Sequence, residues 1–202
     1  MTAGAFDQTG SRQRALELLR SGGVVVLPTD TLPGFHALAS RGDAVDRISH
    51  LKGVSGERRY LLLAASVEMV SEYIGAWGCS SRDALARVWP APLTAILPAG
   101  GRAPEWLGGT VALRVPALGP LREFIAEVGE ALVSTSCNRS GEPPLQDYRA
   151  IDAAFDVDMV LAGAAHSGPA STIVDLCGES VVVLREGAYD WAAATGDSNP
   201  SK

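Results

Sequence analysis

The stretch Gly22–Thr31, GGVVVLPTDT, decides the fold class. Four aliphatic residues, Val24–Leu27, stand between a Gly-Gly pair and Pro28. This run is too short for a helix, and its β-branched residues predict a strand buried on both faces. The polar residues Thr29–Thr31 follow at the predicted carboxyl end, where α/β sheets bind ligands. A turn closed by its own Thr and Asp side chains is the alternative interpretation.

Helices and strands alternate along the rest of the chain. Helical periodicity and capping residues, with Asp43 as one N-cap, predict helices at Ser11–Arg20, Asp43–Lys52, Ser66–Ile74, Ser80–Trp89, Leu118–Val128 and Asp147–Phe155. Apolar or alternating runs predict strands at Tyr60–Ala64, Leu93–Leu97, Thr110–Val115, Ala131–Ser134 and Met159–Leu161, and a hairpin of Ser171–Leu176 with Ser180–Leu184. We therefore expect one α/β domain at residues 8–190, with a twisted, open, mixed sheet flanked by helices, and a flexible tail at 191–202.

Composition excludes several classes of protein. The 202 residues include 17 Lys+Arg and 23 Asp+Glu, so the net charge is −6, which argues against broad nucleic-acid binding. Three separated cysteines without a C-x-x-C pair give no metal or dithiol motif. No leader peptide is visible, and no apolar run approaches the ~20 residues of a membrane span. We expect a cytoplasmic protein with no membrane segment.

Common catalytic motifs are missing from the sequence. It has no G-x-x-x-x-G-K-[ST] phosphate loop, G-x-G-x-x-G fingerprint, G-x-S-x-G elbow or H-E-x-x-H zinc motif. The three histidines are far apart, and we expect each to be a packing or surface residue. Any chemistry must therefore come from other polar clusters.

A second polar cluster spans Ser134–Gly141, STSCNRSG. Its hydroxyl, amide and guanidinium groups, with free backbone N–H groups, suit phosphate oxygens. A plain serine-rich turn is the alternative interpretation.

Cations form the remaining candidates. Lys52, Arg58 and Arg59 follow one another closely, and Lys52 is the only lysine besides the C-terminal Lys202. A lysine suits phosphate, although Lys52 at a predicted helix end would also complement the helix dipole. Arg114 lies inside a predicted strand and needs an anionic partner if it is buried. Together the clusters indicate a site for an anionic substrate, a nucleotide or a carboxylate, without a protein nucleophile.

The order of these motifs resembles that of the YrdC-like family of threonylcarbamoyl-AMP synthases. The resemblance extends from about Arg14 to Ala188. It rests on Pro28–Gly34, Leu51–Gly53, Trp89–Thr94, Thr110–Pro116, Val133–Pro143, Ser171–Leu176 and Leu184–Gly187.

The resemblance implies a nucleotidyltransferase that makes threonylcarbamoyl-AMP and pyrophosphate from L-threonine, bicarbonate and ATP. It also implies a concave cationic cavity, magnesium on the triphosphate, and partner proteins that pass the threonylcarbamoyl group to tRNA beside the anticodon. No residue can be assigned as a metal ligand. Contact with tRNA or double-stranded RNA is a further expectation.

The resemblance also assigns residues. Thr31, Arg114 and Ser171 match positions that hold threonine. The matches around the nucleotide are Lys52, Arg58, Arg59, Thr110, Ser136, Asn138 and Arg185. Lys52 and Arg58 are the expected catalytic residues, acting by charge neutralisation.

The chain departs from the family pattern at three places. Val54 stands where the family has an arginine, so Arg58 or Arg59 would supply that charge. Pro33 replaces an aromatic residue, and His36 replaces a small one. Two alternatives therefore stay open: an RNA-binding or accessory paralogue without synthase activity, and an adenylating enzyme for another carbamoyl acceptor.

Overall fold

A computed structural model describes residues 4–54, 60–76, 79–163, 168–178 and 180–195. The helices are α1 (Thr9–Arg20), α2 (Gly42–Lys52), α3 (Val67–Ser71), α4 (Cys79–Val88), α5 (Gly119–Val128), α6 (Tyr148–Ala154) and α7 (Trp191–Thr195). The strands are β1 (Gly4–Ala5), β2 (Val25–Leu27), β3 (Gly34–Leu38), β4 (Leu61–Leu63), β5 (Leu93–Pro98), β6 (Thr110–Arg114), β7 (Leu132–Ser136), β8 (Met159–Ala162), β9 (Thr172–Asp175) and β10 (Val182–Arg185).

All ten strands form one mixed sheet in the order β1-β8-β2-β3-β7-β4-β6-β5-β9-β10. Neighbours pair in parallel at β1·β8, β8·β2, β4·β6 and β5·β9, and antiparallel elsewhere. The predicted hairpin is confirmed, since β9 and β10 pair antiparallel. The single-domain mixed α/β architecture predicted from the sequence is therefore the observed one.

Two apolar clusters cover the two faces of the sheet. Because side chains alternate along a strand, Val24 and Val26 join one cluster while Val25 and Leu27 join the other. The first cluster takes apolar residues of α2 and α6, and the second takes those of α1 and α5. The prediction that the strand at Val24–Leu27 is buried on both faces is confirmed.

The predicted start of α2 is wrong. The predicted N-cap, Asp43, lies within the first turn, and Arg41 occupies the N-cap position without a side-chain cap. The Asp43 carboxylate instead accepts hydrogen bonds from Arg41 Nε at 2.9 Å and Arg41 Nη2 at 2.7 Å. A salt-bridged carboxylate near the positive end of a helix replaces the expected cap.

The end of the domain also differs from the prediction. The chain continues past residue 190 into α7, and Trp191 is buried in the first apolar cluster. The predicted boundary thus falls one residue before a core side chain, so the flexible tail cannot begin at 191. Residues 196–202 lie outside the described residues. None of the described helices is both long and apolar enough to cross a membrane.

Candidate functional site

A cavity of about 750 Å³ lies against one face of the sheet. Strand alternation builds its wall: Ala112 and Arg114 of β6 line the cavity, whereas Val111 and Leu113 point to the first apolar cluster. Many residues of the lining are polar: Thr29, Thr31, Thr94, Thr110, Arg114, Ser134, Thr135, Ser136, Ser171, Asp175, Cys177 and Arg185.

The turn after β2 brings two hydroxyls to this cavity. Thr29 Oγ1 accepts hydrogen bonds from the backbone N–H of Thr31 at 3.1 Å and of Leu32 at 3.2 Å. Thr29 Oγ1 also lies 3.1 Å from Thr31 Oγ1. Both interpretations of this segment therefore hold, because the Thr29 side chain closes the turn and Thr29 and Thr31 line the cavity.

Arg114 is the buried cation of the site, with only 3% of the residue exposed. Its Nη1 donates to Thr31 Oγ1 at 3.2 Å, and its Nη2 lies 3.4 Å from Asp30 Oδ1. Burial lowers the pKa of Arg114, the Asp30 charge opposes that shift, and Arg185 adds to it. The expected anionic partner of a buried strand arginine is thus Asp30.

The Asp30–Arg114 pair is incompletely hydrogen-bonded. Arg114 Nε and Asp30 Oδ1 are buried and have no hydrogen-bond partner, while Asp30 Oδ2 accepts from Ala117 N at 2.8 Å. A guanidinium has five N–H donors in a planar fork. Arg114 therefore keeps donors for a second anion, and a carboxylate matches their geometry.

The β9–β10 hairpin and the residues before it supply a further part of the lining. Ser171 Oγ lies 2.9 Å from Thr94 Oγ1, and both residues are buried. Arg185 donates from Nε and Nη2 to the Ser171 carbonyl oxygen at 3.0 and 2.8 Å. Burial lowers the pKa of Arg185. Arg185 thereby fixes Ser171 and adds a second cation to the cavity lining.

Lys52 is hydrogen-bonded to the Ser136–Asn138 loop and does not line the cavity. Its Nζ donates to the carbonyl oxygens of Ser136 at 2.9 Å and Asn138 at 3.1 Å, and to Asn138 Oδ1 at 3.1 Å. Burial lowers the pKa of Lys52. All three donors of the ammonium group are used in these bonds. Lys52 and Asn138 are absent from the cavity lining, whereas Ser136 belongs to it.

The structure brings most of the predicted site residues together. Six of them line the same cavity: Thr31, Thr110, Arg114, Ser136, Ser171 and Arg185. Lys52 and Asn138 do not line it but are bonded to each other next to Ser136. The predicted phosphate cations Arg58 and Arg59 lie outside the described residues.

Sequence reasoning missed Asp175 and Thr94 as site residues. Asp175 contributes a carboxylate to the lining, and Thr94 pairs with Ser171. A usable signal existed for Thr94, because it is a polar residue in the otherwise apolar strand LTAIL. In the part of the chain that the structure describes, no group of three or more His, Cys, Asp or Glu side chains could hold a metal ion.

His36, expected to be a packing residue, is fully buried in β3. Its Nε2 lies 3.1 Å from the Oγ of Ser134, which lines the cavity. Burial, with a smaller contribution from the Arg114 charge, lowers the pKa of His36 to about 3. The imidazole is thus neutral at neutral pH.

Comparison with known proteins identifies relatives that cover most of the chain. The sequence profile of the Sua5/YciO/YrdC family, described as telomere recombination, matches residues 17–187. The threonylcarbamoyl-AMP synthase of Nitrosococcus oceani is 38% identical over 155 residues, which are 74% of this chain and 83% of the relative. That of Chromobacterium violaceum is 37% identical over 184 residues, 87% of this chain and 94% of the relative.

A solved structure also matches. P. abyssi Sua5 complexed with L-threonine superposes with a TM-score of 0.81 at 28% identity. The match covers 87% of this chain and 54% of the Sua5 chain, so this chain spans about half the length of that protein.

Proposed function

Because the chain belongs to the Sua5/YciO/YrdC family, we propose that it is a nucleotidyltransferase that makes threonylcarbamoyl-AMP and pyrophosphate from L-threonine, bicarbonate and ATP. The observation that carries this proposal is the buried Arg114. Its guanidinium belongs to the cavity lining, and Nη1 donates to the Thr31 hydroxyl. This arrangement fits an amino-acid carboxylate in a site that also presents polar side chains for phosphates.

The threonine end of the cavity consists of Thr31, Arg114 and Ser171. Arg114 binds the carboxylate, and Asp30 keeps the guanidinium in place at 3.4 Å. Ser171, held by Thr94 and Arg185, offers a further hydroxyl to the cavity. L-Threonine in the related Sua5 complex supports this assignment of the amino-acid substrate.

The nucleotide end consists of Thr110, Ser136 and Arg185. Lys52 acts mainly by organising the loop of Ser136 and Asn138, since its three donors are already used there. Its charge still acts across the loop on bound phosphates, because a buried charge is poorly screened. Arg58 and Arg59 bind the phosphates as well, and Arg58 or Arg59 supplies the charge of the arginine that the family has at the position of Val54.

The reaction needs no protein nucleophile. The amino group of threonine loses a proton and adds to the carbon of bicarbonate, and loss of water gives the carbamate. A carbamate oxygen then bonds to the α-phosphorus of ATP, the bond from that phosphorus to the bridging β-phosphate oxygen breaks, and pyrophosphate leaves. Positioning and neutralisation of the developing charge supply the rate enhancement. Magnesium enters with the triphosphate as part of the substrate.

The product is an activated acyl donor for tRNA modification beside the anticodon. Partner proteins pass the threonylcarbamoyl group onward, and a cytoplasmic location follows from that role. The net charge of −6 disfavours tight, sequence-independent tRNA binding by the chain alone.

Pyrophosphate release in single-omission reactions tests the proposal. We expect release only when ATP, L-threonine and bicarbonate are all present, with threonylcarbamoyl-AMP detected by mass spectrometry. Release that is indifferent to threonine and bicarbonate would contradict it. The same assay with other amino acids identifies an adenylating enzyme of different specificity. No release together with a tRNA mobility shift at low salt identifies the accessory paralogue.

A further inference from the structure

The strand β10 carries apolar side chains that remain exposed. Among the residues that the structure describes, the exposed large apolar ones are Val181, Val182 and Leu184, at 38%, 51% and 55% exposure. They lie on β10 or directly before it, at the edge of the sheet. Leu184 differs from the two valines because it also lines the cavity. Part of its exposed surface therefore borders the space that a ligand would fill.

A β-bulge places Leu184 beside Arg185 in the cavity lining. Val183 pairs with Val174 of β9. Arg185 pairs with Ile173, the preceding residue of β9, so Leu184 is the extra residue of the bulge. Consecutive side chains of a regular strand point to opposite faces of a sheet, yet Leu184 and Arg185 both line the cavity. The bulge therefore lets β10 present an apolar side chain and a cation to the same ligand.

Two isoleucines extend the apolar surface of Leu184 across the sheet. Ile173 of β9 and Ile96 of β5 both line the cavity. Thr94 pairs with Ile173 and lies two residues before Ile96, so the two isoleucines are diagonal neighbours on one face. Ile173 also pairs with Arg185, the residue after Leu184. Ile96, Ile173 and Leu184, from three adjacent strands, thus form an apolar strip in the lining.

The proposed substrates differ in what they can offer to this apolar strip. Bicarbonate and the triphosphate are charged, the ribose is covered with hydroxyl groups, and threonine has a single methyl group. The adenine base has a broad planar face that apolar side chains of a pocket can cover. Leu184 is also bonded to Arg185, which the proposed function places at the nucleotide end, and neighbouring Cα atoms are only about 3.8 Å apart. The base and the phosphates of one nucleotide can therefore reach these two neighbouring residues.

We propose that Leu184 is a substrate-contacting residue that packs against the adenine base of the bound nucleotide. The bulge is the device that makes this contact compatible with a contact between Arg185 and the phosphates. This inference rests on the proposed function and adds to it the residue that binds the base. It predicts that shortening the Leu184 side chain weakens nucleotide binding and leaves threonine binding unchanged.

Calorimetric titrations with a non-hydrolysable ATP analogue and, separately, with L-threonine test the inference. We expect Leu184→Ala to raise the Kd for the ATP analogue roughly 3- to 10-fold, because the variant loses part of the apolar surface that the base covers. The Kd for threonine should change less than about twofold, since threonine binds at the Arg114 end of the cavity. Leu184→Met keeps a large apolar side chain and should retain most of the affinity for the analogue.

Val182→Ala is the matched control. Val182 is an exposed apolar residue of the same strand, but it does not line the cavity. This variant tests whether any loss of apolar surface on β10 disturbs the hairpin and, through it, the site. It should change neither Kd.

Nuclear Overhauser contacts test the packing directly. In methyl-labelled protein saturated with the ATP analogue, protons H2 or H8 of adenine should show contacts to a leucine methyl signal. That signal is assigned to Leu184 by its loss in Leu184→Met, so the assignment does not depend on the alanine variant. A complete set of methyl signals without such a contact would overturn the inference.

The outcomes separate the two proposals. Equal losses of nucleotide affinity in Leu184→Ala and Val182→Ala, or equal losses for nucleotide and threonine, overturn the role of Leu184 while the proposed function stands. If the Leu184→Ala chain does not fold, Leu184→Met and the contacts to the base still decide the question. A wild-type chain that binds threonine but not the ATP analogue overturns both proposals.

Discussion

The ammonium nitrogen of Lys52 lies 2.9 Å from the main-chain carbonyl oxygen of Ser136, a residue of the cavity wall. Lys52 thereby joins the end of α2 to the end of β7, and only 8% of the residue is exposed. The sequence predicted that Lys52 binds phosphate, but its side chain is used to hold the loop of Ser136 and Asn138 in place.

Replacing Lys52 with alanine should reduce both stability and turnover. The loss leaves the main-chain carbonyl oxygen of Asn138 without its donor, whereas that of Ser136 still accepts from Asn138 N at 3.0 Å, and we expect a cost of about 1–3 kcal/mol in the free energy of unfolding. Loss of the loop geometry and of the charge should lower kcat about 100-fold or more. Urea denaturation and pyrophosphate release measure the two effects. Arg149→Ala removes an exposed cation and should change neither quantity.

Arg114→Ala should destabilise the fold strongly. It leaves Asp30, whose side chain is only 5% exposed, as a buried charge without a counter-ion. Such a break typically costs about 3–5 kcal/mol. Adding Asp30→Asn to Arg114→Ala removes the orphan charge and should regain at least half of the loss in urea denaturation. If the free energy of unfolding of Arg114→Ala lies within about 1 kcal/mol of the wild-type value, Asp30 and Arg114 do not form a buried ion pair.

Acid should destabilise the protein through His36. The pKa of His36 is about 3 in the folded chain, below its ordinary value of 6.5, because burial disfavours the charged ring. Between these two pH values the unfolded chain binds the extra proton, so the free energy of unfolding falls as pH falls. The slope in the middle of this range is about 1.4 kcal/mol per pH unit.

Urea denaturation of wild type and of His36→Gln from pH 7 to pH 4 isolates this effect. The difference between the two chains should widen toward neutral pH and narrow toward acid, since glutamine does not titrate. Parallel curves would mean that His36 is protonated in the folded state, beside Arg114.

Cys177 should react slowly with iodoacetamide although it lines the cavity. Burial and the neighbouring Asp175 raise the pKa of its thiol to about 11. The reactive thiolate is therefore scarce at pH 8, and the rate should rise about tenfold per pH unit up to pH 10. Mass spectrometry of a Cys79→Ser chain follows the label, and buried Cys137 should react only after unfolding.

Saturating ATP analogue should protect Cys177 further, because the ligand fills the cavity that the thiol lines. An unchanged rate of labelling would place the nucleotide elsewhere.

The sequence predicted the sheet well where strands are short, apolar and bounded by glycine or proline. Val24–Leu27 and the closing hairpin are such cases. The strand β3 was missed because all five of its residues are buried, so no alternation marks it. A glycine and a histidine also lower its strand propensity.

The site was predictable as a set of polar clusters, and Thr31, Arg114 and Ser171 do meet in one cavity. The direction of the Lys52 side chain was not predictable. Sequence periodicity gives the face of a helix, but the choice between a loop carbonyl and a phosphate depends on how β7 and α2 pack. The pairing of Asp30 with Arg114 likewise depends on sheet order, since these residues are far apart in the chain.

The buried position of Lys52 also makes it a reporter. Lys52 and Lys202 are the only lysines, so a lysine-specific protease can cut within the chain at a single bond, Lys52–Gly53. That bond lies at the end of α2, where Gly53 has a left-handed backbone conformation. The protease must bind the Lys52 side chain, which is hydrogen-bonded to the Ser136–Asn138 loop. Cleavage at this one bond therefore measures how often the loop opens, and ligand-dependent resistance would measure its closure.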